Sequence, residues 1–323
     1  MVQERSQCGR AARFLSERFC LEKLQELKEV EMANQIIQLI INGIAMGFIY
    51  ALVSMEYTII YNSTGLLNFS HDKFITLGAY IFAGTFVLGL GANPAVAVLA
   101  TIITMFLFGV IVATGIFNPL RNMPSRLFAI MGTIALGRII SESIRLIYGA
   151  TAKTVPGFIT GVYHVGNVVI SKANIVIILV SACVVIALQI YMMKTKAGKA
   201  MRCVNQNKTA ATLMGINVSG SIMLTIAISA VICTIIGILV VPLYSINVSM
   251  SNTIGLKGYA AGILGGFGYL PGAILGGLII GVIENLSTVV LAPVYKDCVS
   301  YVLMIVVILI QPNGLRALIR RKK

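Results

Sequence analysis

Charge is what this chain has least of. Only 11% of its 323 residues are charged, against about 25% in a soluble domain. That is too few to cover a surface facing water. Apolar residues make up 58% and mean hydropathy is +0.92, which also excludes a disordered chain. What survives is an integral membrane protein.

Acids are scarcer than bases, 11 against 25. Residues 1–31 carry Glu4, Glu17, Glu22, Glu26, Glu29 and Glu31, balanced by Arg5, Arg10, Arg13, Arg18, Lys23 and Lys28. The rest of the chain has only Glu56, Asp72, Glu142, Glu284 and Asp297, so the formal excess of +14 lies wholly outside that segment. A basic balance can signal nucleic acid, but that requires a solvated basic face. Here the bases cluster between apolar runs, as topology signals do.

Chemistry-bearing patterns are also missing. The two histidines, His71 and His164, are far apart, and the six cysteines show no CxxC spacing. No metal set can be assembled from local spacing; Cys183, Cys233 and Cys298 read as small buried hydrophobes in or beside apolar runs. Gly198-Lys199 is followed by Ala200 and has no upstream glycine at P-loop spacing. No GxSxG, HExxH or HRD-type motif occurs. The expectation is a protein that is not an enzyme and needs no cofactor. If it is driven by ATP, another chain must hydrolyse it.

What is present is a series of apolar runs near the ~20 residues needed to cross ~30 Å of hydrocarbon. They fall at roughly 36–55, 74–90, 94–117, 127–147, 173–193, 218–243, 259–283 and 297–311. Strict alternation is absent, so the expected fold is an all-α polytopic bundle of about eight transmembrane helices rather than a barrel. Three segments are basic: 118–126 (Arg121, Arg126), 194–208 (Lys194, Lys196, Lys199, Arg202, Lys208) and the tail (Arg316, Arg320, Arg321, Lys322, Lys323). The positive-inside rule puts all three on the cytoplasmic face. Parity then requires either that one run is not a full crossing or that the glycine-rich block at 256–290 crosses twice or re-enters, and Gly-Tyr-Leu-Pro-Gly at 268–272 supplies the break. A double passage gives nine crossings, and the N-terminus is outward if the first three spans are all real. The chain divides into a charged extension, 1–31, a membrane domain, 32–315, and a basic cytoplasmic tail, 316–323. For residues 1–31, two readings stay open: an amphipathic helix on the membrane or bundle, or an extension upstream of a start at Met32.

Four places could carry function. The polar stretch Tyr61 to Lys73, with Asn68, Ser70, His71 and Asp72, reads as a broken helix lining a polar path or as a surface loop capped by Ser70 or Asp72. Arg138, Glu142 and Arg145 share a helical face inside the fourth span. They read as a self-neutralising cluster or a path lining, since charge at membrane depth faces the interior or pairs. Gly262, Gly266, Gly272 and Gly276, with Gly43 and Gly47, give small-xxx-small spacing for tight helix packing or a subunit seam. The 194–217 segment is too polar to span. Its Ala200–Leu213 stretch reads as a short helix ended by Gly215, contacting headgroups or a partner protein.

Four stretches together resemble the permease subunits of branched-chain amino acid ABC importers. They are Gly65-Leu66-Leu67-Asn68-Phe69-Ser70-His71 with Leu77-Gly78-Ala79-Tyr80; Gly198-Lys199-Ala200-Met201-Arg202 with Asn207 and Met214-Gly215-Ile216-Asn217; Gly258 to Gly268, on through Pro271-Gly272-Ala273 and Gly276-Gly277 to Glu284; and Tyr295-Lys296-Asp297 with Gln311-Pro312-Asn313-Gly314-Leu315. The resemblance runs from about Met32 to the tail. It implies a half-transporter in a bacterial or archaeal inner membrane. Its partners would be a second, homologous permease, two cytoplasmic ATP-binding subunits and an extracytoplasmic substrate-binding protein. It also implies that 194–217 is the coupling helix, with Gly198, Lys199, Arg202, Asn207 and Gly215 facing the ATPase. The 65–72 motif would lie near the translocation path. One departure stands out: the family usually has Gly and then an acid after the His, where this chain has Asp72 and Lys73. Urea or short amides therefore stay open as substrates. So does a self-sufficient secondary transporter that would use Glu142 or Glu284.

Overall fold

The computed structural model describes residues 2–65, 67–121, 126–155, 158–159, 161–165, 168–311 and 314, with the side chains of 2–30, 121, 126 and 165 left aside. In chain order the helices are α1 (Val2–Thr64), α2 (His71–Tyr80), α3 (Pro94–Val112), α4 (Asn118–Arg121), α5 (Arg126–Tyr148), α6 (Lys172–Lys194), α7 (Lys196–Gln206), α8 (Lys208–Leu213), α9 (Val218–Val240), α10 (Met250–Gly265), α11 (Leu270–Ser287) and α12 (Lys296–Ile310). π-helical turns extend α2 over Ile81–Val87 and α3 over Ala113–Phe117. Two short strands, β1 (Val162–Val165) and β2 (Val168–Ser171), pair antiparallel between α5 and α6, a small addition to an otherwise helical fold. The basic tail lies outside the described residues, as do the side chains on which an amphipathic reading of 1–31 depends.

Among the described residues, seven helical stretches are long and apolar enough to cross a membrane: Glu31–Thr64, Pro94–Leu120, Leu127–Tyr148, Lys172–Lys194, Val218–Val240, Leu270–Ser287 and Pro293–Ile310. The fold is thus a helical polytopic membrane bundle. In α9, 72% of the most apolar window is buried, against 6% for the last span, so α9 is central and α12 peripheral.

The bundle has two distinct ends. At one, Ser219 at the start of α9 donates to Asn118 in α4, the Lys208 ammonium of α8 donates to the Thr64 carbonyl at the close of α1, and Gly314 sits against the Ile263 and Leu264 carbonyls. This is the basic end. At the other, Lys153 and Ile246 pair as an isolated bridge near the β1–β2 hairpin. The glycine-rich run expected as one span at 259–283 is two antiparallel helices. Gly266 (φ +89°) and Gly268 (φ +87°) take the left-handed turn that only glycine adopts freely, and Pro271 starts α11. Helices α10 and the extended α2 are shorter than the seven, yet they run alongside them.

The glycines explain the packing. A Cβ on Gly276 would strike the Ala261 carbonyl of α10, and one on Gly272 the Gly265 carbonyl. Gly277 and Gly281 similarly meet Ala51 and Gly47 of α1. The seam is therefore within the chain and joins α1, α10 and α11 by close backbone approach. Gly262 packs more loosely, since a Cβ added there would stand 3.3 Å from the Ser54 hydroxyl, and Gly266 serves the turn rather than the seam. Gly276→Val should therefore lower the melting temperature in detergent more than Gly115→Val, whose added Cβ meets nothing within 4 Å. The expected difference is about 1–3 kcal/mol; equal losses would contradict the seam.

Candidate functional site

The polar stretch after α1 folds into a tight turn rather than an open loop. Gly65 (φ +72°) ends α1, and the Asn68 carboxamide then accepts from the Ser70 backbone N–H at 2.9 Å and the Ser70 hydroxyl at 2.6 Å. This is an Asx turn, in which the side chain replaces a backbone partner. Ser70 stands at the N-cap of α2, but its hydroxyl makes no cap bond. Asn68 does that holding instead. Behind the turn, Phe69 donates from its backbone to the Thr133 hydroxyl of α5 at 3.3 Å.

His71 enters the centre of the bundle. Its Nδ1 lies 2.9 Å from Glu56 Oε2 of α1 and 4.0 Å from Cys233 Sγ of α9. The Tyr57 ring centroid is 4.0 Å from that of the imidazole. Ser229 of α9 donates to the other Glu56 oxygen. Asn68, Ser70, His71, Glu56 and Cys233 are all fully buried. Asp72 turns instead to Lys73, 2.9 Å away, and Lys73 donates to Asn252 of α10. Sequence reading singled out His71 but missed its partners: positions 56, 71 and 233 share no local spacing. A mid-span acid at 56 was the available signal.

Glu56, His71 and Cys233 are also the described residues whose donor atoms come close enough to hold a metal ion, within 4.8 Å of one another. Their geometry already has an internal logic without one. A carboxylate and an imidazole face each other, both fully buried, and with Ser229 the pair ties α1, α2 and α9 together.

A second charged cluster lies at the end of the bundle away from the basic segments. Glu284 of α11 accepts from Lys257 at 2.9 Å, Tyr50 at 3.3 Å and Ser300 at 3.0 Å. Lys296 stands 3.4 Å from the same carboxylate, and Lys257 also reaches Asp297 at 2.6 Å. Glu284 is thus flanked by two ammonium groups. A cleft of about 340 Å³ opens over this cluster.

Glu142 is not brought near either cluster. It lies on the outer face of α5 with Arg138, paired to Arg145 at 3.4 Å, and the two paired side chains are 57% and 55% exposed.

At the basic end the segment expected as one helix is two. Asn207 leaves helical geometry (φ −156°, ψ 108°), and its side chain accepts from Ala210 N–H to restart the chain as α8. Thr195 caps α7 in the same way. Gly198, Met201 and Val204 form the buried face of α7, and Gly198 is held against the Tyr191 and Met192 backbone. Lys199, Arg202 and Asn207 are exposed, and Gly215 (φ +76°) closes the unit beside an exposed Leu213 and Met214. Glu56→Ala should destabilise the protein by about 3–5 kcal/mol, because it strands a buried partner. Glu56→Leu combined with His71→Phe should recover much of that loss in a thermal melt; a double variant as unstable as the sum of the singles would refute the pairing.

Residues 39–308 match the family model described as "Branched-chain amino acid transport system / permease component". The chain is 32% identical over 292 residues to the high-affinity branched-chain amino acid transport system permease protein LivH of Salmonella typhimurium, covering 86% of this chain and 94% of that one. BraD of Pseudomonas aeruginosa, named as the same kind of permease, is also 32% identical, over 86% of this chain and 95% of its own length. A probable LivH of Methanocaldococcus jannaschii is 26% identical over 82% and 87%. Among solved structures, "PsaBC from Streptococcus pneumoniae in complex with Fab" covers 88% of this chain and 94% of that chain at 13% identity and a TM-score of 0.45, too remote to support any argument. Seven apolar helices and permease relatives in bacteria and an archaeon make this a multi-pass inner-membrane protein. The chain belongs to the permease family of branched-chain amino acid ABC transport.

Proposed function

We propose that this chain is one half of the membrane path of an ATP-driven importer for branched-chain or related amino acids. It would work with a second, homologous permease, two cytoplasmic ATP-binding subunits and an extracytoplasmic binding protein. The observation that carries this reading is the α7–α8 unit. It is a capped, ordered element that presents Lys199 and Arg202 together with Leu213 (83% exposed) and Met214 (76% exposed). Basic residues beside exposed apolar knobs suit a groove on another protein better than a water-facing loop. With α2 and α10 counted as crossings, the chain spans the membrane nine times, and all three basic segments fall on the cytoplasmic side as the positive-inside rule requires.

The α5 face supports the second permease. Arg138, Glu142 and Arg145 lie within the apolar span Leu127–Tyr148 and are exposed on the isolated chain. Hydrocarbon is a poor neighbour for such a face. A second permease laid against it would enclose the charges in a polar path. The turn carrying Asn68, Ser70, His71 and Asp72 stands directly behind, with Gly137 of α5 seated on Ser70, and would brace that wall.

Arg202→Glu should cut binding-protein-stimulated ATP hydrolysis of the assembled transporter at least tenfold while membrane insertion is retained; unchanged stimulation would contradict docking at α7. Cysteine placed at Glu142 should give permease–permease products with a short bifunctional maleimide. Labelling of that cysteine by a lipid-phase probe, with no such products, would place α5 against lipid instead.

A further inference from the structure

We infer that the cleft at the outer end of the bundle is a transient receiving site for a zwitterionic α-amino acid with a small apolar side chain. The inference rests on the amino-acid transport reading above and adds the place and chemistry of first contact. The cleft lies between α1, α10, α11 and the start of α12. At about 340 Å³ it is near the lower end of small-molecule sites, roughly 300–1,000 Å³, which suits a small ligand.

Its charges are layered. Lys257 and Glu284 form the floor, 4% and 1% exposed. Lys296 and Asp297 form the rim, 26% and 53% exposed. The rim pair are sequence neighbours of opposite sign at the start of α12, so a cation and an anion stand side by side. Asp297 uses Oδ1 for Lys257 and remains half open to the cleft mouth. Met46, Met250 and Ile254 supply an apolar wall beside them.

That arrangement complements an amino acid in all three parts. The ligand carboxylate turns to Lys296, its ammonium to Asp297, and its side chain to the methionine and isoleucine wall. Charge balance gives the selectivity. Lys257, Lys296, Glu284 and Asp297 sum to zero, so a zwitterion enters without adding net charge to a poorly solvated site. A net anion or net cation would leave one charge without a partner. A neutral amide such as urea can hydrogen-bond to the rim but brings no formal charge to pair with either rim group. The mutual ion pairs keep the empty cleft neutral too, so the floor needs no rearrangement when ligand leaves.

The test uses the purified full chain in lipid nanodiscs with millimolar L-leucine, read by saturation-transfer NMR. Wild type should transfer to the leucine methyl protons. It should bind leucinamide, which lacks the carboxylate, and 4-methylpentanoate, which lacks the ammonium, at least fivefold more weakly. Lys296→Met should lose leucine binding at least fivefold while its leucinamide signal does not fall below the wild-type level. Asp297→Asn should do the same for leucine and leave 4-methylpentanoate binding no weaker. A purely structural role for these residues would weaken all three ligands together and would overturn the assignment. So would equal binding of leucine and both analogues by wild type, a result that decides the matter even where the variants do not fold. Leucine uptake by the complete wild-type transporter is scored separately. Its loss counts against the transport reading, whereas intact uptake with no charge-selective binding counts against this cleft alone.

Discussion

A charge inside a bilayer has no water to turn to, and this one constraint organises the molecule. The buried ionisable side chains Glu56, His71, Lys257 and Glu284 all lie against ionisable partners within the protein. Glu56 faces His71 across α1 and α2. Glu284 faces Lys257 and Lys296 across α10, α11 and α12. Such pairs do not by themselves make a protein more stable than apolar residues of equal volume would. What they do is fix which helices meet and in what register, since a slipped helix would strand a charge in hydrocarbon. The face that breaks this pattern is the outer side of α5, where Glu142 and Arg145 pair along their own helix, and it is there that the proposed second permease would lie.

The pairs can form only because the helices approach closely. Glycines on α1, α10 and α11 bring backbones into contact with no side chains between them. That proximity carries Lys257 of α10 to Glu284 of α11 and sets α10 against Asp72 and His71 at Gly255. The close-packed middle leaves two differentiated ends: one with an exposed basic helix pair, the other with a charged cleft.

Much of this was legible in the sequence where the signal is local. The scarcity of charge gave the membrane class, the Gly268–Gly272 break gave the turn that divides α10 from α11, and the basic 194–217 segment stood out as too polar to cross. The kink at Asn207 was hidden, because an asparagine inside a helical pattern reads as a mild defect until its side chain is seen capping the next helix. The two charged clusters were out of reach for a different reason. Glu56, His71 and Cys233, or Tyr50, Lys257 and Glu284, meet only after helices far apart in sequence have packed. Arg138, Glu142 and Arg145 were correctly placed on one helical face, but whether that face looks inward or outward depends on the neighbours α5 acquires, which no spacing records.

The central claim is that this permease draws its power from a nucleotide-hydrolysing partner. The most direct measurement is substrate uptake into membrane vesicles carrying the complete transporter, with ATP and the ion gradients varied independently. A permease driven by such a partner should give uptake that follows ATP and persists when a proton uncoupler collapses the gradient. Uptake abolished by the uncoupler yet indifferent to ATP depletion would contradict it.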